Sequence, residues 1–153
     1  MEHKTDYALL NAQLEALVKN IPYETANFAN ASALLWQALA DINWAGFYLM
    51  TDGALVLGPF QGKPACIRIA VGRGVCGTAV QEDRTQLVPN VHEFPGHIAC
   101  DCASNSEIVV PIHKNGQIYG VLDIDSPSFN RFSQEDQAGL EAFVQVLEKA
   151  LVM

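Results

Sequence analysis

A chain of 153 residues, half of them hydrophobic and 17% charged, has the material for one buried core and is not a disordered segment. Nine Lys and Arg against seventeen Asp and Glu leave a formal net charge of −8, and no basic run occurs, which argues against a nucleic-acid partner. The opening MEHKTDYALL lacks the apolar core of a signal peptide, and the most apolar stretch, residues 33–50, is broken by Gln37, Asp41 and Asn43. No membrane association is therefore expected, and the expected compartment is the cytoplasm, where thiols stay reduced.

In chain order, residues 5–19 place Tyr7, Leu10, Leu14, Leu17 and Val18 at helical spacing, and residues 24–40 read as a second helix. The period then changes to two. WAGFYLM sets Ala45, Phe47 and Leu49 on one face of a strand and Trp44, Gly46 and Tyr48 on the other. A turn at Asp52-Gly53 leads into ALVLGPF as a hairpin partner. CIRIAV is a further short strand, and GRGVCGTAVQED is a glycine-rich turn entering a short helix. After a loop rich in Pro, Asn and His come strands at 107–113 and 117–125, joined around Asn115-Gly116. Ser133, with Asp136 three residues on, opens a last helix over 134–151, whose Leu140, Phe143, Val144, Leu147 and Leu151 form one stripe. Helices at both ends of a central antiparallel sheet make a single α+β domain spanning 1–153.

The register of the 107–125 hairpin decides which side chains share a face. A three-residue loop, Lys114-Asn115-Gly116, with the glycine in the left-handed conformation, sets Glu107 opposite Asp123 and leaves Asp125 diagonal to it. Ile108, Val110, Ile112, Ile118, Gly120, Leu122 and Ile124 then share one apolar face. The other face carries Glu107, Val109, His113, Tyr119, Val121, Asp123 and Asp125. A two-residue turn would instead pair Glu107 with Ile124 and mix the two sets. The expectation is the three-residue loop. Such a trio of acids is in most proteins an ordinary solvated face. Here it is also a candidate pocket for an ammonium group, or one that holds a carboxyl protonated, because like charges at close range raise at least one pKa.

The four cysteines, Cys66, Cys76, Cys100 and Cys102, contain no C-x-x-C pair, so the usual structural zinc spacings are absent. His97, three residues before Cys100, keeps a zinc ligand set open. Buried inert thiols suit Cys66 in a strand and Cys76 at a helix start. Cys100 sits in a polar loop among His97, Asp101, Ser104 and Asn105, which suits a nucleophile with a second cysteine to resolve it. The runs GRG and VCGT match neither a P-loop nor a dinucleotide fingerprint.

In order along the chain, GPFQGKPACIRIAVGRGVCGTAV, VHEFPGHIACDCASNSEIVVPI and GVLDIDSPSF resemble the free methionine-(R)-sulfoxide reductase family, over essentially the whole chain. The resemblance implies a GAF fold and thioredoxin-dependent reduction of free methionine-(R)-sulfoxide without a metal or organic cofactor. It implies Cys100 as the nucleophile, Cys66 as the resolving cysteine, and Cys76 as an auxiliary one. Glu107, Asp123 and Asp125 match the carboxylates that hold the substrate amine and assist proton delivery, and Trp44 and Tyr48 match aromatic pocket residues. Cys102 departs from the family, which has a small residue there, and leaves open which thiol resolves the nucleophile. An unperturbed thiol, with a pKa of about 8.5, is only a few per cent thiolate at neutral pH, and a sulfoxide oxygen leaves only when protonated. The chemistry therefore needs an acid, and Glu107 is assigned that role. The rival expectations are a GAF domain that senses a small ligand and a thiol-based redox sensor without catalysis. A lone domain with no attached kinase, cyclase or DNA-binding segment speaks for the enzyme. Oligomeric state is not encoded, and a homodimer stays open.

Overall fold

The computed structural model describes residues 4–96 and 104–151. The elements are α1 (Tyr7–Val18), α2 (Glu24–Ala38), β1 (Trp44–Thr51), β2 (Ala54–Gly62), β3 (Arg68–Ala70), α3 (Gly74–Glu82), β4 (Gln86–Val88), β5 (Ser106–Lys114), β6 (Gln117–Ser126) and α4 (Gln134–Leu151). Two elements were not foreseen: β4, and a 3₁₀ turn at Val91–Glu93. Both lie in the Pro- and Asn-rich stretch read as loop, where three-residue elements leave no periodicity to detect. The CIRIAV strand is real but shorter than its apolar run. No helix among the described residues is long and apolar enough to cross a membrane.

The six strands form one antiparallel sheet in the order β3-β2-β1-β6-β5-β4. Period-two alternation gives each strand two distinct faces. One face, with Ala45, Phe47, Ile108, Val110, Ile112, Leu122 and Ile124, packs against the apolar stripes of α1, α2 and α4. The other face carries Trp44, Tyr48, Val109 and Val121 and is covered by α3 through Val75, Cys76 and Ala79. The two central strands, β1 and β6, are buried on both sides.

Local signals set the helix ends. The Asp6 carboxylate accepts from the Leu9 N–H at 3.0 Å and caps α1. At α4 the Ser133 hydroxyl accepts from the Asp136 N–H at 3.1 Å while the Asp136 carboxylate accepts from the Ser133 N–H at 2.8 Å, a reciprocal capping box. Asp136 also accepts from the Tyr7 hydroxyl at 2.6 Å and pairs with the buried Arg131 at 3.4 Å. One carboxylate thus caps α4 and docks α1. The Tyr7 ring lies flat over Gly139, where a Cβ would fall 2.2 Å from the ring.

The hairpin register differs from the expectation. The turn is the two-residue Asn115-Gly116, with φ of 55° and 79°, the pair of left-handed residues that a tight hairpin turn needs. Lys114 pairs with Gln117 and His113 with Ile118, but Ile112 pairs with Gly120, so Tyr119 is an extra residue in β6. Beyond this bulge Glu107 pairs with Asp125, not Asp123, and Asp123 is the diagonal neighbour opposite Val109. The face assignment survives because the expected and observed registers differ by two residues, which preserves side-chain parity. The bulge does exchange Ile118 and Tyr119. Tyr119 turns to the helical layer, packs on its core and donates to Glu24 of α2, which also pairs with Lys114 at 2.9 Å.

The contact of Tyr7 with Gly139 sets the spacing of α1 and α4. Gly139→Ala should lower the unfolding free energy by about 1–3 kcal/mol through overpacking, read as a lower urea midpoint with an unchanged slope. An unchanged midpoint would show that the α1–α4 contact yields without cost.

Candidate active site

The site lies where β1, β6 and β5 present adjacent residues beneath α3. Alternation along β6 buries Ile124 in the helical layer and turns Asp123 and Asp125 to the opposite face. Across β6, Trp44 faces Asp125 and Gly46 faces Asp123 from β1, while Glu107 faces Asp125 from β5. Val88 of β4 pairs with Glu107 and closes the outer side. Glu107 and Asp123 are only 7% and 6% exposed, so two acids that would repel each other are both out of water.

Cys76 of α3 completes this cluster. Its sulfur and the carboxylate oxygens of Glu107 and Asp123 all lie within 4.8 Å of one another. Burial pushes the Glu107 carboxyl well above the usual range, and the charges of Asp123 and Asp125, with hydrogen bonds to both, push it further. The site therefore favours the protonated form of Glu107. Burial likewise pushes the Cys76 thiol up, reinforced by Asp123, Glu107 and Asp125, and the S–H donates to Asp123. Cys76 is thus held as a neutral thiol and is poorly suited to attack on its own. The three donors could in principle hold a cation, which would first have to displace the protons on Glu107 and Cys76.

An aromatic wall stands beside the acids. Trp44 stacks on Phe60, with centroids 5.1 Å apart and planes 14° from parallel, and faces Tyr48 at 5.9 Å and 23°. Gly46 makes this possible, since a Cβ there would lie 2.2 Å from the Phe60 Cβ. The polar ends of the wall are engaged with the chain after β2. The Trp44 indole N–H donates to the Lys63 carbonyl at 3.1 Å, and the Tyr48 hydroxyl donates to the Cys66 carbonyl at 2.8 Å. Burial raises the Tyr48 pKa, and Asp123, Cys76, Asp125 and Glu107 raise it further, so the phenol stays a donor. Cys66 itself is disulfide-bonded, whereas Cys76 is free.

The GAF domain family matches residues 13–151. A protein of Escherichia coli (strain K12) named free methionine-R-sulfoxide reductase is 59% identical over 150 residues, covering 97% of this chain and 91% of that one. The structure of fRMsr of Staphylococcus aureus in complex with substrate superposes with a TM-score of 0.95 at 52% identity and 99% coverage of both chains. Free methionine-R-sulfoxide reductase from Neisseria meningitidis, also in complex with its substrate, superposes at 0.92 with 40% identity, covering 99% of this chain and 93% of that one. The chain belongs to the free methionine-(R)-sulfoxide reductase family.

Of the residues that the resemblance to this reductase family singled out, Trp44, Tyr48, Cys76, Glu107, Asp123 and Asp125 converge on one face of the sheet, and Cys66 is tied to it through Tyr48. Cys100, Cys102 and His97 lie outside the described residues. Phe60 was not anticipated. Its only signal was an aromatic residue in β2, and its stacking on Trp44 depends on a glycine in the neighbouring strand.

A carboxyl whose folded pKa lies above its ordinary 4.5 binds its proton more tightly folded than unfolded, so its contribution to stability is lost as pH rises through that window. Glu107→Gln removes this titration. Its urea midpoint relative to the parent should rise progressively as the pH increases from 4.5 towards neutrality. A constant difference across that range would show that Glu107 is not held protonated.

Proposed function

We propose that this protein, acting as one catalytic domain over residues 1–153, reduces free L-methionine (R)-sulfoxide to methionine through a cysteine nucleophile and is recycled by thioredoxin in the cytoplasm. The observation that carries the reading is Glu107, buried between two carboxylates that push its pKa up, beside an aromatic wall and a disulfide-bonded cysteine. A ligand sensor needs a pocket, but it has no use for a proton donor and a redox-active thiol at the same place.

In this mechanism Asp123 and Asp125 receive the ammonium group of the amino acid, whose charge offsets their repulsion. The ring faces of Trp44 and Tyr48 pack on the thioether methyl. Cys100 attacks the sulfoxide sulfur while Glu107, directly or through water, protonates the departing oxygen. The sulfoxide oxygen, now a hydroxyl, passes to the Cys100 sulfur as the transient S–S bond breaks, methionine leaves with the electron pair on its sulfur, and Cys100 becomes a sulfenic acid. The Cys66 thiol attacks that sulfur, releasing water and forming the Cys66–Cys100 disulfide. A dithiol reductant returns both to thiols with two electrons and two protons. Cys76, neutral and hydrogen-bonded to Asp123, serves as an auxiliary thiol that steadies the acid cluster.

Incubation with each sulfoxide epimer and dithiothreitol, with methionine quantified, tests the activity. The R epimer of the free amino acid should be consumed and the S epimer left. Cys100→Ser should abolish turnover, and substantial residual activity would promote Cys102. Glu107→Gln should lower kcat by about 10²–10⁴-fold, whereas Asp123→Asn or Asp125→Asn should chiefly raise KM. The reverse pattern would exchange the two roles.

The resolving step has its own test. Cys66→Ser should still form one equivalent of methionine in a single turnover while recycling by thioredoxin collapses. Normal recycling by Cys66→Ser together with failure of Cys102→Ser would transfer the resolving role to Cys102.

A further inference from the structure

The charge of this chain is unevenly placed. Despite seventeen Asp and Glu overall, no acidic residue occurs from Gly53 to Gln81, while Lys63, Arg68 and Arg73 fall within that stretch. All three are exposed, and among the described residues none of them forms an ion pair. Between the first two lies Cys66, disulfide-bonded, and next to it Ile67, 74% exposed. Val71, 40% exposed, follows β3. The Arg73 N–H donates to the Ala70 carbonyl at 3.1 Å, so Arg73 returns within a single turn of the strand. The strand itself is terminal: β2 pairs with one edge of β3, and no described strand pairs with the other. A bulky aliphatic side chain left exposed beside a disulfide, next to the terminal strand of the sheet and within the longest acid-free stretch of an acidic protein, has the composition of a small contact surface.

We infer that the Cys66–Arg73 edge, with Ile67 as its apolar centre and Lys63, Arg68 and Arg73 as its basic rim, is the docking surface for the protein reductant, a dithiol protein whose reactive cysteine is ringed by apolar and acidic residues. The inference rests on the recycling step of the proposed function. Charge complementarity selects the partner: the rest of this chain is acidic and repels an acidic protein, whereas this edge attracts one. The docked reductant's thiolate attacks the Cys66 sulfur. A mixed disulfide to Cys66 forms, and the sulfur formerly bonded to Cys66 leaves as a thiolate. The reductant's second thiol then attacks its own sulfur of that mixed disulfide, freeing Cys66 as a thiolate that takes a proton from solvent. The reductant ends as a disulfide, and the two electrons have passed to this chain. Tyr48, donating to the Cys66 carbonyl at 2.8 Å, holds the main chain at the point of attack.

The test compares a protein reductant with a small one. Methionine formation is followed with thioredoxin, regenerated by its reductase and NADPH, and separately with dithiothreitol, for the parent, Arg68→Glu/Arg73→Glu and Ile67→Asp. Each variant should lose about 10-fold or more in kcat/KM for thioredoxin at low ionic strength and keep parental turnover with dithiothreitol. Added salt should slow the parent's reaction with thioredoxin and leave the charge-reversed variant nearly unaffected. A thioredoxin whose second cysteine is replaced by serine should be trapped as a mixed disulfide on Cys66, located by peptide mapping. Parental thioredoxin kinetics in both variants, or trapping on a cysteine other than Cys66, would overturn the docking surface while leaving the sulfoxide chemistry intact. Absence of methionine formation by the parent with dithiothreitol would instead overturn the proposed function, and the docking surface with it.

Discussion

Three carboxyl groups brought to one end of a sheet, two of them nearly sealed from water, are the constraint around which this protein is arranged. Their mutual repulsion and desolvation oppose folding, and no ion pair among the described residues involves Glu107. The molecule accommodates them by favouring the protonated form of Glu107 and by placing a thiol donor at Cys76. The stability that permits this comes from the opposite side of the same strands, where Ile108, Leu122 and Ile124 alternate with the acids and are fully buried under three helices. The same arrangement explains how binding and chemistry combine. In the proposed mechanism an arriving ammonium would relieve the repulsion, and Glu107, its pKa raised, would supply the proton that a leaving oxygen needs.

The aromatic wall links that acid cluster to the redox chemistry. Trp44 and Tyr48 occupy alternate positions of β1, so their rings face the acids together, while their N–H and O–H groups reach the carbonyls of Lys63 and Cys66. Each aromatic side chain therefore has two tasks, a ring for the pocket and a donor for the segment carrying Cys66. Two hydrogen bonds therefore tie that segment directly to the aromatic wall.

Much of this was legible from residue patterns. The helices, the two long hairpins and the division of β5 and β6 into an apolar and an acidic face follow from periodicity, which depends only on local geometry. The register of the β5–β6 hairpin was not legible in detail. Asn115 adopts the left-handed conformation as readily as Gly116, which favours a two-residue turn, and the bulge at Tyr119 then restores the parity that hydrophobic burial demands. Tyr119 is drawn to the helical side because its hydroxyl finds Glu24, a residue ninety-five positions away. β4 was invisible for a similar reason: its three residues become a strand only because β5 offers an edge to pair with.

The sequence by itself determined the α+β layout, the set of acids that would share a face, and the family to which the chain belongs, because side-chain alternation and motif order are properties of the chain read one residue after another. Only the tertiary structure decided that the Glu107 carboxyl and the Cys76 thiol are both pushed above their ordinary pKa. Those outcomes depend on burial under α3 and on charges arriving from β5 and β6 together, and both are set by distances between segments rather than by spacing along the chain.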